Sequence, residues 1–284
     1  MGEILYGHIL ANELKQEIKE KICNKKNAGK RNPALAIICV EKDDGSSSYI
    51  AGIKKASSSV DIDVVEINPE RDESKVISTI KELNDDVNID GIMILLPLPS
   101  GFDSQKIFNA ISAKKDVDGL SEKNVGRLYT KQKGFKPCTP QGIMYLLGKN
   151  NIELEGKEVV VVGRSNSVGK PMAQLMLDEN ATVTICHSKT ANIQQLCLKA
   201  DILVVAVGKE HLVSKDWIKE NAIVIDVGVN CNEQGKLVGD VDMEGALEVA
   251  KFVTPVTKGV GTLTTAMLLS NVYNSYERRI EHEL

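Results

Sequence analysis

The chain has 284 residues, 42% apolar and 26% charged, enough for one large or two ordinary domains with real cores. A net charge of −4 with only short basic runs speaks against a nucleic-acid partner. Six cysteines at 23, 39, 138, 186, 197 and 231 form no CxxC pair, so neither a zinc site nor a disulfide framework is expected, and a reducing, cytoplasmic setting is. The start, "MGEILYGHILANELKQEIKE", is amphipathic and does not read as a signal peptide, and no apolar run approaches a membrane span.

Residues 8–28 have the apolar spacing of a helix, with Ile9, Leu10, Leu14, Ile18 and Ile22 near i, i+4. "PALAIICV" (33–40) predicts a fully buried strand, and 47–58 a helix after a Gly45/Ser46 start. A strand over 63–67, a helix over 72–84 capped by Asp72, and a strand over 90–99 ended by prolines follow. The mixed, polar stretch 112–137 reads as the crossing between domains. Beyond it come a strand (158–163), a helix (170–180) with Pro171 in its first turn, and strands over 181–186, 201–208 and 221–228. A helix from Thr262 to about Ile280 is long enough to reach back to the first domain. The βαβα alternation predicts an α/β fold built on parallel sheets.

"VVVVGRSNSVGKP" reads as strand, glycine turn and helix start. Gly163 permits the tight turn and Gly169 a close helix approach, while free N–H groups at the helix start suit a pyrophosphate. Ser165 stands where a GxGxxG fingerprint has its middle glycine, so the loop alone leaves an ordinary α/β turn open. Dinucleotide sites that read NAD place an acid at the end of the next strand, to bind the ribose hydroxyls. Here that strand ends Cys186-His187-Ser188-Lys189-Thr190, with Arg164 in the loop opposite. A guanidinium, a hydroxyl and an ammonium suit a 2′-phosphate, which favours NADP over NAD; Ser188-Lys189-Thr190 also reads as a cap for the next helix, and the two readings are compatible.

Eight motifs follow in order: "YIAGIKKA", "LLPLP", "KDVDGL", "CTPQG", "VVVVGRSNSVGKP", "HSKT", "DVGVN…GKLVGDVD" and "TPVTKGVG". Together they resemble the methylenetetrahydrofolate dehydrogenase/cyclohydrolase family over essentially the whole chain. The resemblance implies two domains around a cleft. A folate domain covers 1–137, with 262–284 packed back on it, and a Rossmann-type NADP domain covers 138–261. It also implies a homodimer, a tetrahydrofolate derivative as substrate, and two reactions: oxidation of 5,10-methylenetetrahydrofolate to the methenyl form, then hydrolysis to 10-formyltetrahydrofolate.

Carried over by position, the catalytic candidates are Tyr49, against the folate rings, and Asp118, reading the pterin edge through two N–H bonds. Asp118 before Gly119 is also a plain turn former. Ile53, Leu95, Pro97, Lys258 and Gly259 complete the expected substrate pocket, and Gly163, Arg164, Ser165, Val168, Ser188 and Val229 the cofactor site. The departures are at Ile53 and Leu95, where the family has a lysine and a glutamine, and at Thr257, Lys258 and Thr262.

Hydride loss from a carbon between two nitrogens needs placement and no side-chain proton, whereas hydrolysis needs a group that shuttles protons near neutrality. The expectation is therefore an NADP-dependent dehydrogenase with weak or absent cyclohydrolase activity. Its alternatives are a fully bifunctional enzyme using Lys54 or Lys55, another two-domain NADP oxidoreductase, and a catalytically silent folate- or nucleotide-binding protein.

Overall fold

The computed structural model describes residues 1–282. Glu283 and Leu284, the end of the segment expected to pack on the folate domain, lie outside the described residues. The chain divides into two compact units. The first runs from Asn12 to Cys138 and resumes at Thr265; the second comprises Met1–Ala11 and Thr139–Thr264. The opening strand β1 (Glu3–Ile4) belongs to the second, and helix α1 (His8–Asn27) continues into the first.

In the first unit, β2 (Ala34–Ile38) is the middle strand of a parallel sheet and is buried along its whole length, which is why its sequence is an unbroken apolar run. Helix α2 (Asp44–Ser58) starts three residues before the position expected. Asp43 accepts from Ser46 N at 2.7 Å and Asp43 N donates to Ser46 Oγ at 2.7 Å, a reciprocal cap that a Gly45/Ser46 start overlooks. β3 (Asp63–Ile67) flanks β2 on one side. Helix α3 (Glu73–Asp85) is capped by Asp72 as anticipated, its carboxylate accepting from Lys75 N. β4 (Gly91–Ile94) flanks β2 on the other side and is much shorter than 90–99. Leu95 N still donates to Ile38 O, but Pro97 and Pro99 bring no N–H with which to extend the ladder.

Two further helices, α4 (Ser104–Ala110) and α5 (Glu122–Tyr129), were not legible. Each is about two turns long, too short for a 3.6-residue period to declare itself. The presumed crossing 112–137 thus contains a helix, and its Asp116 bridges to Ile92 of the sheet.

The second unit holds α6 (Cys138–Lys149), β5 (Glu158–Val162), α7 (Gly169–Asp178), β6 (Thr182–Cys186), α8 (Ile193–Cys197), β7 (Ile202–Val205) and β8 (Ile223–Asp226). A small antiparallel pair β9 (Asn230–Cys231) and β10 (Leu237–Val238), helix α9 (Met243–Val249) and β11 (Phe252–Val253) complete it. The six-stranded sheet has order β1-β11-β8-β7-β5-β6 and is parallel throughout. β6 lies on one side of β5 and β7 on the other, so the chain reverses direction across the sheet beside β5. Ligands of open α/β sheets bind beyond the carboxyl ends of the strands at such a switch.

Helix α10 (Val260–His282) closes the chain, and from Thr265 it belongs to the first unit. Asn271 Nδ2 donates to Val117 O (2.8 Å), Ser275 Oγ reaches Asp90 O and Lys114 O (2.6 and 2.7 Å), and Tyr276 Oη donates to Arg31 O (2.7 Å). The expected return of the tail helix to the first domain is what these bonds describe. Among the described residues no helix is long and apolar enough to cross a membrane.

Candidate functional site

The carboxyl end of β5 is built by two glycines. Gly163 has φ +133°, and a Cβ there would sit 2.3 Å from Ala206 O, just beyond β7. A Cβ on Gly169 would sit 2.3 Å from Gly163 O, so α7 starts directly against the turn. This is a backbone cradle that any side chain would fill. Ser165 Oγ accepts from Val168 N and Gly169 N (3.1 and 3.3 Å) and so caps α7, the task a hydroxyl can add where the fingerprint has glycine. Arg164, Ser188 and Lys189 are exposed, Val168 is half-buried, and Val229 is 59% exposed. In the loop after β6, Thr190 Oγ1 accepts from His187 N (2.9 Å), which closes the loop; the residue before α8 is Asn192 with no side-chain cap bond, so the helix-cap reading of Ser188-Lys189-Thr190 is not met and Ser188 is left open.

Sequence reasoning missed the pair that holds the neighbouring loops. Asp240 is fully buried; its Oδ2 accepts from Val207 N and Gly208 N (2.7 and 3.0 Å), and its Oδ1 from Lys209 N and Asn230 Nδ2 (2.7 and 3.0 Å). Asp226, at the end of β8, accepts from Gly228 N, Asp240 N and Val241 N (2.9, 3.1 and 3.0 Å). A Cβ on Gly228 would strike Asp240, and one on Gly239 would strike Asp226. The signal was present in "DVGVN…GKLVGDVD", where each glycine makes room for the other segment's carboxylate. Burial pushes the Asp226 carboxyl up to about 6, against the pull of its three N–H donors.

The first unit brings Tyr49, Ile53, Leu95, Pro97 and Asp118 together in one fold, while Lys258 and Gly259 belong to the second. Tyr49 and Ile53 share a face of α2, one turn apart. Tyr49 is 39% exposed and Ile53 only 1%. Lys54 points elsewhere: its Nζ lies 2.5 Å from Glu66 Oε2, on β3, and Lys42 holds the other oxygen at 2.6 Å. Hydrogen bonds from Lys42, then Lys54, hold the Glu66 carboxyl down to about 2. Lys55 is exposed. Leu95 is buried, Pro97 is exposed, and the Leu96–Pro97 bond is cis.

Asp118 is half-buried, with φ +66° at the following Gly119, where a Cβ would meet the Phe135 and Lys136 backbone at 2.8 Å. The turn-former reading of Asp118-Gly119 therefore also holds. Burial, reinforced by Asp116, pushes the Asp118 carboxyl up to about 6, against a hydrogen bond with the Cys138 thiol. Cys138 Sγ is in turn 3.5 Å from Val117 O and accepts from Asn271 Nδ2 at 3.7 Å. Desolvation first, and then Asp118 and Cys138, push the Tyr49 phenol upward. Tyr49 thus keeps its proton at neutral pH, and Asp118 is ionised there with acceptor capacity to spare. Lys258 is exposed at φ +65°, with its carbonyl accepting from Gly7 N and His8 N (2.9 and 3.0 Å). A Cβ on Gly259 would lie 1.9 Å from Pro255 O.

Two family models match the chain: the catalytic domain of tetrahydrofolate dehydrogenase/cyclohydrolase over residues 5–118, and its NAD(P)-binding domain over 137–280. The chain belongs to the tetrahydrofolate dehydrogenase/cyclohydrolase family. It is 49% identical over 273 residues to the bifunctional protein FolD of Clostridium botulinum (strain Alaska E43 / Type E3), covering 95% of this chain and 96% of the relative. The structure matches the bifunctional FolD dehydrogenase/cyclohydrolase of Campylobacter jejuni with a TM-score of 0.95 at 39% identity, over 98% of this chain and all of that one. It matches the Trypanosoma brucei methylenetetrahydrofolate dehydrogenase-cyclohydrolase, solved with NADP and an inhibitor, with a TM-score of 0.93 at 32% identity over 98% of each chain. Family membership and the α/β fold with a catalytic and an NAD(P)-binding domain are therefore as the motif order implied.

Proposed function

We propose that this protein oxidises 5,10-methylenetetrahydrofolate to the 5,10-methenyl form with NADP, and that its hydrolysis of that product is weak or absent. The cofactor assignment rests on the glycine cradle at Gly163 and Gly169, on the absence of an acid at the end of β6, and on exposed Arg164, Ser188 and Lys189, whose charge suits a 2′-phosphate. The Trypanosoma relative, solved with NADP, supports it. Ser165, Val168 and Val229 complete that contact surface in this reading. Bound NADP supplies the hydride acceptor.

The chain's own part is placement. Tyr49 lies against the folate rings as a protonated, flat surface, and the Asp118 carboxylate takes two N–H bonds from the pterin edge. Ile53 and Leu95 form an apolar wall. Ejecting hydride from an aminal carbon asks for no proton transfer, so such a wall is compatible with oxidation. Hydrolysis asks for a proton carrier near the reacting carbon. Ile53 has no ionisable group, the Tyr49 phenol is pushed away from neutrality, and the Lys54 ammonium is engaged by Glu66. The observation that carries the proposal is buried Ile53 on the face of Tyr49, with Lys54 turned to an ion pair. Folate binding is assigned to the unit containing Tyr49 and cofactor binding to the other. A homodimer in the cytoplasm accompanies this reading on the family resemblance.

A second reading is that both reactions are present. The name "bifunctional", carried by relatives as similar as 49% identical, favours it. One experiment decides. Formation of the methenyl compound is followed with NADP, and the decay of added methenyl compound is then followed with and without protein. Oxidation with unaccelerated decay upholds the proposal; decay accelerated to the rate of oxidation establishes the second reading; turnover of neither, with ligand binding intact, returns the silent-binder alternative.

A further inference from the structure

The first unit carries a cavity at the end of β4 opposite to Leu95. It has a volume of about 490 Å³, and its walls come from residues 84, 89–90, 112–115, 127, 133, 275 and 278–279. From Asp90 to Leu95 the strand carries the chain roughly 16 Å, and neither Tyr49, Leu95 nor Asp118 lines this cavity. Six of the lining residues are cations, three of them guanidinium groups at Arg127, Arg278 and Arg279. The single lining carboxylate, Asp90, is already shared: Arg31 clamps it at 2.8 and 3.0 Å and Arg279 Nη2 reaches it at 2.6 Å. No carboxylate ion pair engages Lys114, Arg127, Lys133 or Arg278 among the described residues.

The wall is built rather than loose. Arg127 Nη1 rests on Asn124 Oδ1 (3.4 Å), and buried Asn124 is fixed to Asp116 Oδ2 (2.8 Å) and Ala113 O (3.1 Å). Lys115 Nζ donates to the Leu83 and Asp86 carbonyls (2.8 and 2.7 Å). Desolvation lowers its pKa, against the charges of Asp86, Asp90 and Asp85. Arg279 Nε is buried with no partner. In a protein of net charge −4, so local an excess of positive charge around a concavity calls for an anion.

We propose that this cavity binds an oligophosphate group. Guanidinium forks match phosphate oxygens in pairs, and several adjacent cations suit a compact multiple charge better than a single carboxylate. Phe135, beside the wall, is buried and covered by the Arg278 guanidinium at 5.0 Å, so that ring offers a nucleobase no open face. The phosphate chain is the recognised part, whether it comes as inorganic oligophosphate or on a nucleotide. An occupant would also bear on the proposed folate site. Residues 112–115 line the cavity, and Asp118 lies three residues further along the same segment.

The test is calorimetric titration of the full chain with sodium tripolyphosphate at constant ionic strength, with thermal unfolding in parallel. Saturable one-to-one binding and a raised melting temperature are expected. The variant Lys133→Ala/Arg278→Ala, altered at two exposed positions, is expected to weaken binding by about tenfold or more. Arg164→Ala/Lys189→Ala, in the cofactor loops, is expected to leave it unchanged. ATP binding as tightly as tripolyphosphate identifies nucleotides as a source, and weaker ATP binding identifies the inorganic chain; both uphold the site. Absence of saturable binding, loss only in the cofactor-loop variant, or equal binding of penta-γ-glutamate overturns the proposal.

Discussion

Each unit holds two neighbouring aspartates at the loops that matter, and the two pairs are used differently. In the second unit both are saturated: Asp240 accepts four hydrogen bonds and Asp226 three, almost all from backbone N–H groups. In the first, Asp116 is saturated in the same way by Leu120 N, Ser121 N, Ser121 Oγ and Asn124 Nδ2, at 2.6–3.2 Å. Asp118 is not; its one hydrogen bond among the described residues is with the Cys138 thiol, a weak donor. A buried carboxylate that has used its lone pairs is a fastening. One kept short of donors has lone pairs left to offer a ligand, because an ionised carboxylate short of partners costs stability that a bound donor restores.

This contrast is sharpest at Asp118. Asp118→Ala is expected to lower kcat/KM for methylenetetrahydrofolate by about a thousandfold, since two charge-assisted hydrogen bonds are lost, with little change in melting temperature. A loss of stability without a loss of turnover would make Asp118 another fastening. Asp240→Ala should do the reverse in kind. It leaves the N–H groups of Val207, Gly208 and Lys209 unpaired, so it is expected to cost about 3 kcal/mol in urea unfolding and to raise KM for NADP, with KM for folate unmoved. If both Michaelis constants move together, the loops of the second unit are not specific to the cofactor.

Acidity separates the pairs more gently. In the proposed role Asp118 accepts two N–H bonds only when ionised, and burial pushes its carboxyl up to about 6. Below that pH, KM for folate is expected to rise about tenfold per unit, and the Asp118→Asn variant should lose this dependence. The stability effect has the opposite sign. Because the folded pKa lies above the unfolded one, the contribution of Asp118 to stability is present below the ordinary carboxylate range and is lost as pH rises through about 6. Acid should therefore favour the free fold at this residue while disfavouring its substrate complex.

The smallest effect concerns a position that neither pair touches. Lys258 adopts φ +65°, a left-handed conformation that glycine takes without strain. Lys258→Gly is expected to stabilise the protein by up to about 1 kcal/mol, read from the urea midpoint. A destabilised variant would show that the Lys258 side chain contributes more than its backbone conformation costs.

The sequence by itself determined the alternation of strands and helices, the glycine cradle at Gly163 and Gly169, the Asp72 cap, and the family through the order of its motifs. These are local: an apolar period, a turn that needs glycine and a short run of residues keep their meaning whatever surrounds them. It also placed Ile53 on the face of Tyr49, since helix periodicity is fixed by the backbone. Only the tertiary structure decided what partners a side chain finds. Glu66, twelve residues beyond Lys54, takes that ammonium; Asp226 and Asp240 interlock through glycines of each other's segments; Cys138 and Asn271 meet at the loop of Asp118. The helices α4, α5 and α6 stayed hidden for a related reason. Short or weakly periodic segments fold as helices because neighbouring elements bury one side of them, and that neighbourhood is written nowhere in the segment itself.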